Sequence, residues 1–128
     1  MYLLDSDVVI WHLRRHSGVV TLLERLGGTG RMGISTLTRL EVHAGMKLAE
    51  RAATESLLAA LDTYPVSGMI GDRAGDILRE YRLCGVTLDL VDATIAATAE
   101  IHSLVLVTMK ARHYPMPGLT LLPVSPDR

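Results

Sequence analysis

Short apolar runs alternate with longer segments of helical periodicity along this chain of 128 residues, and this alternation limits its possible folds more than any other feature. A run of three or four apolar residues is typical of a buried strand, whereas apolar residues spaced three and four apart are typical of a helix. Strands that alternate with helices predict an α/β sandwich around a central, mostly parallel sheet. The predicted strands are 2–4, 32–34, 63–66, 104–107 and 119–122, and the predicted helices are 8–14, 19–26, 36–47, 50–61, 72–83 and 91–102.

Length and composition limit the class of protein. A chain of this length suits a single domain, expected to span residues 1–128. No apolar run approaches the roughly 18 residues of a membrane span, and the acidic start does not resemble a signal peptide. The single cysteine excludes an internal disulfide, so we expect a cytoplasmic protein. A net charge of −1 gives no overall basic field, so any binding of nucleic acid would depend on a local patch.

Three carboxylates from distant segments are predicted to point at one edge of the core. Asp5 directly follows the first predicted strand, where ligand clefts form in open α/β sheets, and Asp92 lies in the first turn of a mostly apolar helix. Glu41 shares an apolar helical face that we expect to be buried. The other members of that face are Leu37, Leu40, Ala44 and Leu48. No Lys or Arg shares these apolar faces, so the acids need compensation from elsewhere.

The size of the repulsion between neighbouring carboxylates indicates how their charge must be neutralised. Two carboxylates about 4 Å apart repel by roughly 4 kcal/mol at an effective dielectric constant near 20. Either one acid takes a proton, or a divalent cation neutralises several acids at once. Oxygen ligands without a histidine pair or cysteine cluster suit Mg²⁺ or Mn²⁺ rather than zinc. Because such an ion usually completes its shell with water and phosphate oxygens, the pattern indicates metal-assisted cleavage of a phosphodiester.

Structural roles for the same acids stay open. Asp89 is predicted to cap the helix that carries Asp92, and Asp92 itself would favour the positive end of that helix. Asp7 is predicted to cap the first short helix. Glu41 could instead form an ion pair with a neighbouring or distant basic residue.

Four stretches of the sequence together resemble the PIN-domain ribonucleases of bacterial toxin–antitoxin systems, the VapC-type toxins. They are "MYLLDSDVVIWHL", "ISTLTRLEVHAGM", "DATIAATAEIHSLVLVT" and "RHYPMPGLTLLP". The resemblance implies a PIN-like α/β/α sandwich, endoribonuclease activity with Mg²⁺ or Mn²⁺, homodimerisation and inhibition by a VapB-type antitoxin. It also implies that Asp5, Glu41 and Asp92 are the catalytic and metal-binding acids. Ser6 occupies the small hydroxyl position after the first acid, and Thr108 matches the threonine that ends a later strand.

The segment after Thr108 departs from the family pattern. Lys110 stands where a polar or acidic residue is usual, and His113 occupies the position of a fourth acid before Tyr114. A cation at position 110 would either weaken the binding of a divalent ion or hold a substrate phosphate. Asp89 or Asp7 could supply an outer ligand in place of the missing acid.

Two other functions stay open on the sequence alone. The first is a catalytically degenerate PIN domain that binds RNA or an antitoxin without cleavage, which the lysine at position 110 favours. The second is a haloacid-dehalogenase-like phosphatase with Asp5 as nucleophile and Asp7 as acid/base, suggested by "LLDSDVV". The order of residues disfavours this phosphatase, because its lysine should precede the last acidic pair, whereas Lys110 follows Asp89 and Asp92.

Overall fold

A central five-stranded parallel sheet organises the computed structural model, which describes residues 1–125. The strands are β1 (Tyr2–Leu4), β2 (Met32–Ser35), β3 (Asp62–Tyr64), β4 (Val105–Thr108) and β5 (Thr120–Pro123). Their order across the sheet is β3-β2-β1-β4-β5, and every neighbouring pair is parallel. This confirms the predicted α/β sandwich with a central parallel sheet.

In the described part of the chain, six α-helices connect the strands. They are α1 (Ser6–Leu13), α2 (Ser17–Gly27), α3 (Thr36–Gly45), α4 (Arg51–Ala59), α5 (Gly68–Leu83) and α6 (Leu90–Ile101), with short 3₁₀ helices at Leu48–Glu50 and Ala111–His113. The predicted helices are all present, with shifted ends. The largest shift is in α5, which begins four residues before the predicted start at Asp72 because the Ser67 hydroxyl accepts a hydrogen bond from the Ile70 amide. Between residues 1 and 125, no helix is long and apolar enough to cross a membrane.

The sheet separates two hydrophobic cores because successive residues of a strand point to opposite faces. On β1, Leu3 belongs to the core beneath α5 and α6, whereas Leu4 belongs to the core beneath α1 to α4. On β4, Leu106 and Val107 alternate in the same way. All four side chains are fully buried. The central strands therefore hold their carboxyl ends in fixed positions between two packed helical layers.

The start of α1 corrects one prediction. Asp5, not Asp7, is the N-cap residue, and its carboxylate accepts a hydrogen bond from the Ser6 amide. Asp7 lies in the first turn instead, because the helix begins at Ser6 and not at Val8. The chain thus turns from strand to helix at the first candidate acid.

The prediction that the leucine face of α3 is buried is also wrong. Leu40 is 62% exposed and Leu48, just beyond the helix, is 85% exposed. Glu41 and Ala44 are exposed as well, and only Leu37 of this face is half-buried. The buried face carries Thr38 and Val42, and it is the side toward α1, where the Ser6 hydroxyl lies 3.2 Å from that of Thr38. A helical wheel shows which residues share a face, but not which face meets the sheet.

Candidate metal-binding active site

The first candidate acid lies where the two central strands end side by side. The amide of Asp5 donates to the carbonyl of Val107 at 2.9 Å, which joins the end of β1 to β4. The Asp5 carboxylate is only 1% exposed, and both of its oxygens are bonded. Oδ1 accepts from the Ser6 amide at 2.9 Å, and Oδ2 accepts from the Thr108 hydroxyl at 2.8 Å. Thr108 therefore orients Asp5 from the neighbouring strand.

The second candidate acid is held by the start of α6. Asp89 is the N-cap residue, as predicted, and its Oδ2 accepts from the amides of Val91 and Asp92, each at 3.1 Å. The body of the helix, residues 93–99, is buried on all sides. Asp92, one residue earlier, is only 3% exposed as a consequence. The same apolar helix thus buries Asp92 and points it at the sheet edge.

A tyrosine hydroxyl joins the two acids. Tyr114 Oη lies within donating distance of Asp5 Oδ2, at 3.0 Å, and of Asp92 Oδ1, at 3.3 Å. Burial raises the pKa of Tyr114 far above its usual range, and the negative charges of Asp5 and Asp92 add to this. The hydroxyl therefore stays a donor. Tyr114 is not among the site residues predicted from the sequence, because the short 3₁₀ helix at Ala111–His113 that precedes it leaves no periodic signal.

Lys110 supplies the positive charge beside the acids that the residues of the apolar helix faces do not supply. Its ammonium nitrogen lies 2.9 Å from Asp92 Oδ1, so the compensating charge comes from the segment after β4 and not from the apolar helix faces. Burial alone would lower the pKa of Lys110, but the hydrogen bond to Asp92 and the charge of Asp5 outweigh burial and raise it. The ammonium is therefore charged. His113 is the other neighbour, with Nδ1 at 3.4 Å from Asp92 Oδ2.

The protonation of Asp5 reflects this mixture of burial and nearby charge. Burial raises the pKa of Asp5 above its ordinary value, although the charge of Lys110 and the hydrogen bonds from Thr108 and Tyr114 oppose the rise. The internal partners therefore offset only part of the cost of a buried charge. A stronger cation at this point would favour the ionised carboxylate.

Glu41 reaches the site through a serine. Its Oε1 accepts from the Ser6 hydroxyl at 2.6 Å, and the residue is exposed at the rim of the site. The structure thus brings Asp5 and Asp92 together and places Glu41 beside them, attached to the residue after Asp5. Among residues 1–125, no three His, Cys, Asp or Glu side chains are gathered into a group that could hold a metal ion.

The donors nevertheless fit a hard divalent ion. Mg²⁺ keeps several waters and is commonly bound through one or two carboxylates together with substrate phosphates. Asp5 and Asp92 supply two buried carboxylates at one point, and an ammonium already lies against one of them. These two residues would hold the ion, with Glu41 at the open side.

Comparisons with known proteins agree with this architecture. The chain matches the family model of the PIN domain over residues 2–116. It is 40% identical over 119 residues to Ribonuclease VapC10 of Mycobacterium tuberculosis, covering 91% of this chain and 87% of that protein. It is 35% identical over 117 residues to Ribonuclease VapC19 of the same organism, covering 91% and 94%.

Solved structures of toxin–antitoxin complexes share the fold. VapBC2 from Rickettsia felis, bound to a DNA fragment from its promoter, matches with a TM-score of 0.87 at 21% identity, covering 97% of this chain and 98% of that chain. A toxin–antitoxin complex from Klebsiella pneumoniae matches with a TM-score of 0.77 at 27% identity, covering 94% and 96%. A match over nearly the whole chain leaves no place for the haloacid-dehalogenase-like alternative. The chain belongs to the PIN-domain family and, within it, to the VapC-type proteins.

Proposed function

We propose that this protein is an endoribonuclease that uses Mg²⁺ or Mn²⁺ and acts as the toxin of a toxin–antitoxin pair. The observation that carries the proposal is the meeting of Asp5 and Asp92, both buried, through the hydroxyl of Tyr114 at the carboxyl edge of the sheet. The relatives named as ribonucleases support RNA as the substrate.

Asp5 and Asp92 are the residues that would hold the ion. A divalent cation bound there supplies Lewis-acid activation of the phosphodiester and of the water that attacks it. The protein contributes rigidity: Asp5 accepts hydrogen bonds from Ser6 and Thr108, and Asp92 lies in the first turn of α6, whose residues 93–99 are buried. Ligands held in this way need little rearrangement when the cation binds.

Glu41 is suited to act on water or to complete the ligand set. The Ser6 hydroxyl donates to Glu41 Oε1 at 2.6 Å, and this contact limits the orientation of the whole carboxylate. Because Glu41 is exposed, its carboxylate meets the solvent from which the nucleophile comes. We assign to Glu41 the orientation of the attacking water, and to Ser6 the positioning of Glu41.

The partners follow from the same family. The solved neighbours are toxin–antitoxin complexes, which supports a VapB-type antitoxin as the inhibitor of this chain. A homodimer would cover apolar surface, and the exposed Leu40 and Leu48 agree with an interface of this kind. We propose both a VapB-type antitoxin and a second copy of the chain as partners.

The test is cleavage of structured RNA, including transfer RNA, by the purified protein with Mg²⁺ or Mn²⁺. We expect cleavage that EDTA abolishes. D5N and D92N should each lower the rate by about 100-fold or more because electrostatic stabilisation is lost, and E41Q should lower it by roughly 100-fold. D76N is the matched control, since Asp76 lies on α5, has a side chain that is 48% exposed and pairs with Arg79. Activity that persists in EDTA, or in D5N and D92N, would remove the proposal.

A second candidate function is a PIN domain that binds RNA or antitoxin without cleavage. The contact of 2.9 Å between Lys110 and Asp92 favours it, because an internal ammonium lies where a cation would be needed. Expression in a bacterial host separates the two candidates. Growth arrest that disappears with D5A supports the nuclease, whereas a folded protein that binds RNA but neither cleaves it nor arrests growth supports the degenerate domain.

A further inference from the structure

We propose that Lys110 is a built-in counter-ion that competes with the divalent cation for Asp92 and so sets the metal affinity of the site. The inference rests on the proposed function only for the assignment of Asp5 and Asp92 as metal ligands. It concerns binding of the ion and not cleavage.

The geometry places the ammonium on the inner oxygen of Asp92. Oδ1 is the oxygen that also faces Tyr114, whose hydroxyl reaches Asp5, whereas Oδ2 faces His113. Lys110 Nζ lies 2.9 Å from Oδ1. A cation held by Asp5 and Asp92 would compete with this ammonium, because Oδ1 is the Asp92 oxygen that is linked to Asp5 through the Tyr114 hydroxyl.

The contact is fixed at the backbone and shielded from water. The amide of Lys110 donates to the Thr108 hydroxyl at 3.0 Å, and its carbonyl accepts from the His113 amide at 2.9 Å. The side chain of Lys110 is 28% exposed and that of Asp92 is 4% exposed. An ion pair shielded in this way is weakened less by solvent than a surface pair. The Lys110 side chain therefore stays near Asp92 instead of sampling many conformations at the surface.

Competition follows from charge. An ammonium and a divalent cation on the same carboxylate oxygen repel each other, so the metal ion can bind only when the ammonium moves away. Each binding event then loses one favourable ion pair, and the apparent affinity falls accordingly. We expect removal of the ammonium to tighten Mn²⁺ binding at least tenfold.

The experiment measures Mn²⁺ binding to the RNA-free protein by calorimetry and by electron paramagnetic resonance. The variants K110M and K110Q remove the charge and keep a side chain of similar length, and K110R keeps the charge. R112M is the matched control, because Arg112 is an exposed cation of the 3₁₀ helix that directly follows Lys110. We expect K110M and K110Q to bind Mn²⁺ at least tenfold more tightly than the wild type, with K110R and R112M within about threefold of it.

A further variant, D92N in the K110M background, should abolish the tight binding and so locate it at this site. Circular dichroism checks that each variant is folded. Equal or weaker Mn²⁺ binding by K110M and K110Q overturns the inference, and so does the absence of binding in every variant. If K110M binds tightly while no variant cleaves RNA, the inference stands and the proposed nuclease function fails. If the wild type cleaves RNA while K110M binds Mn²⁺ no more tightly, the inference fails and the proposed nuclease function stands.

Discussion

The carboxylate of Asp5 is buried, so its charge is in conflict with its surroundings. It caps α1 and accepts hydrogen bonds from Ser6, Thr108 and Tyr114, yet burial still raises its pKa above the ordinary 3.8. A carboxyl whose folded pKa lies above its unfolded pKa binds more protons in the folded state. Its ionisation therefore costs stability, and this cost grows as the pH rises from about 3.8 through the folded pKa.

The substitution D5N removes this cost. With EDTA present at pH 7, we expect D5N to unfold at a higher temperature than the wild type, because asparagine cannot ionise and still offers an oxygen to the Ser6 amide. The difference should shrink as the pH falls, and it should vanish well below pH 3.8, where Asp5 is protonated in both states. Thermal unfolding followed by circular dichroism over this pH range measures it. A D5N variant that is less stable than the wild type at pH 7 contradicts the prediction.

The residues of the site differ in how far sequence could predict them. The positions of Asp5 and Asp92 follow from a strand end and a helix start, both of which have strong local patterns. The contacts of Lys110 and Tyr114 depend on the 3₁₀ helix at Ala111–His113, whose length and direction have no comparable pattern. The acids, and a lysine close to them, could therefore be predicted from the sequence, whereas the contact of Lys110 with Asp92 and the role of Tyr114 could not.

At the scale of elements, α6 links helix formation to the position of Asp92. Its N-cap is Asp89, and the two amides that Asp89 binds include that of Asp92 itself. Loss of the cap would leave the amides of Val91 and Asp92 without these partners. Stability and the geometry of the site thus depend on the same carboxylate.

Substitution of this cap tests that link. We expect D89A to lower the free energy of unfolding by about 1 kcal/mol, whereas D89S keeps most of the stability because a serine hydroxyl also caps helices. Urea unfolding measures both variants. If D89S proves as unstable as D89A, the role of Asp89 is not that of a cap.

Helix α3 shows what the periodicity of apolar residues does not predict. Five strands and six helices could be predicted from apolar patterns, but the face of α3 that packs could not. Its buried positions are Thr38 and Val42, while Leu40 faces outward. The leucine face has the composition of a core, so a pattern that counts only apolar residues selects it first.

In the whole molecule, the residues of the candidate site come from segments that are far apart in sequence. Asp5 directly follows β1, Asp92 lies in the first turn of α6, and Tyr114 follows β4. Only the completed parallel sheet brings them together, because the adjacent ends of β1 and β4 form one edge. In the unfolded chain the same carboxylates are scattered, so a divalent ion should bind the folded state in strong preference.

Preferential binding predicts that Mn²⁺ stabilises the entire fold. An ion present at 100 times its dissociation constant adds about 2.7 kcal/mol to the free energy of unfolding. For a domain of this size, that increment corresponds to a rise in Tm of roughly 10 °C. Differential scanning fluorimetry with and without Mn²⁺ measures the rise, which EDTA should reverse. D92N should lose most of the rise, whereas D76N, on the exposed face of α5, should keep it. An equal rise in D92N and D76N would show that Mn²⁺ stabilises the fold from a site elsewhere on the surface.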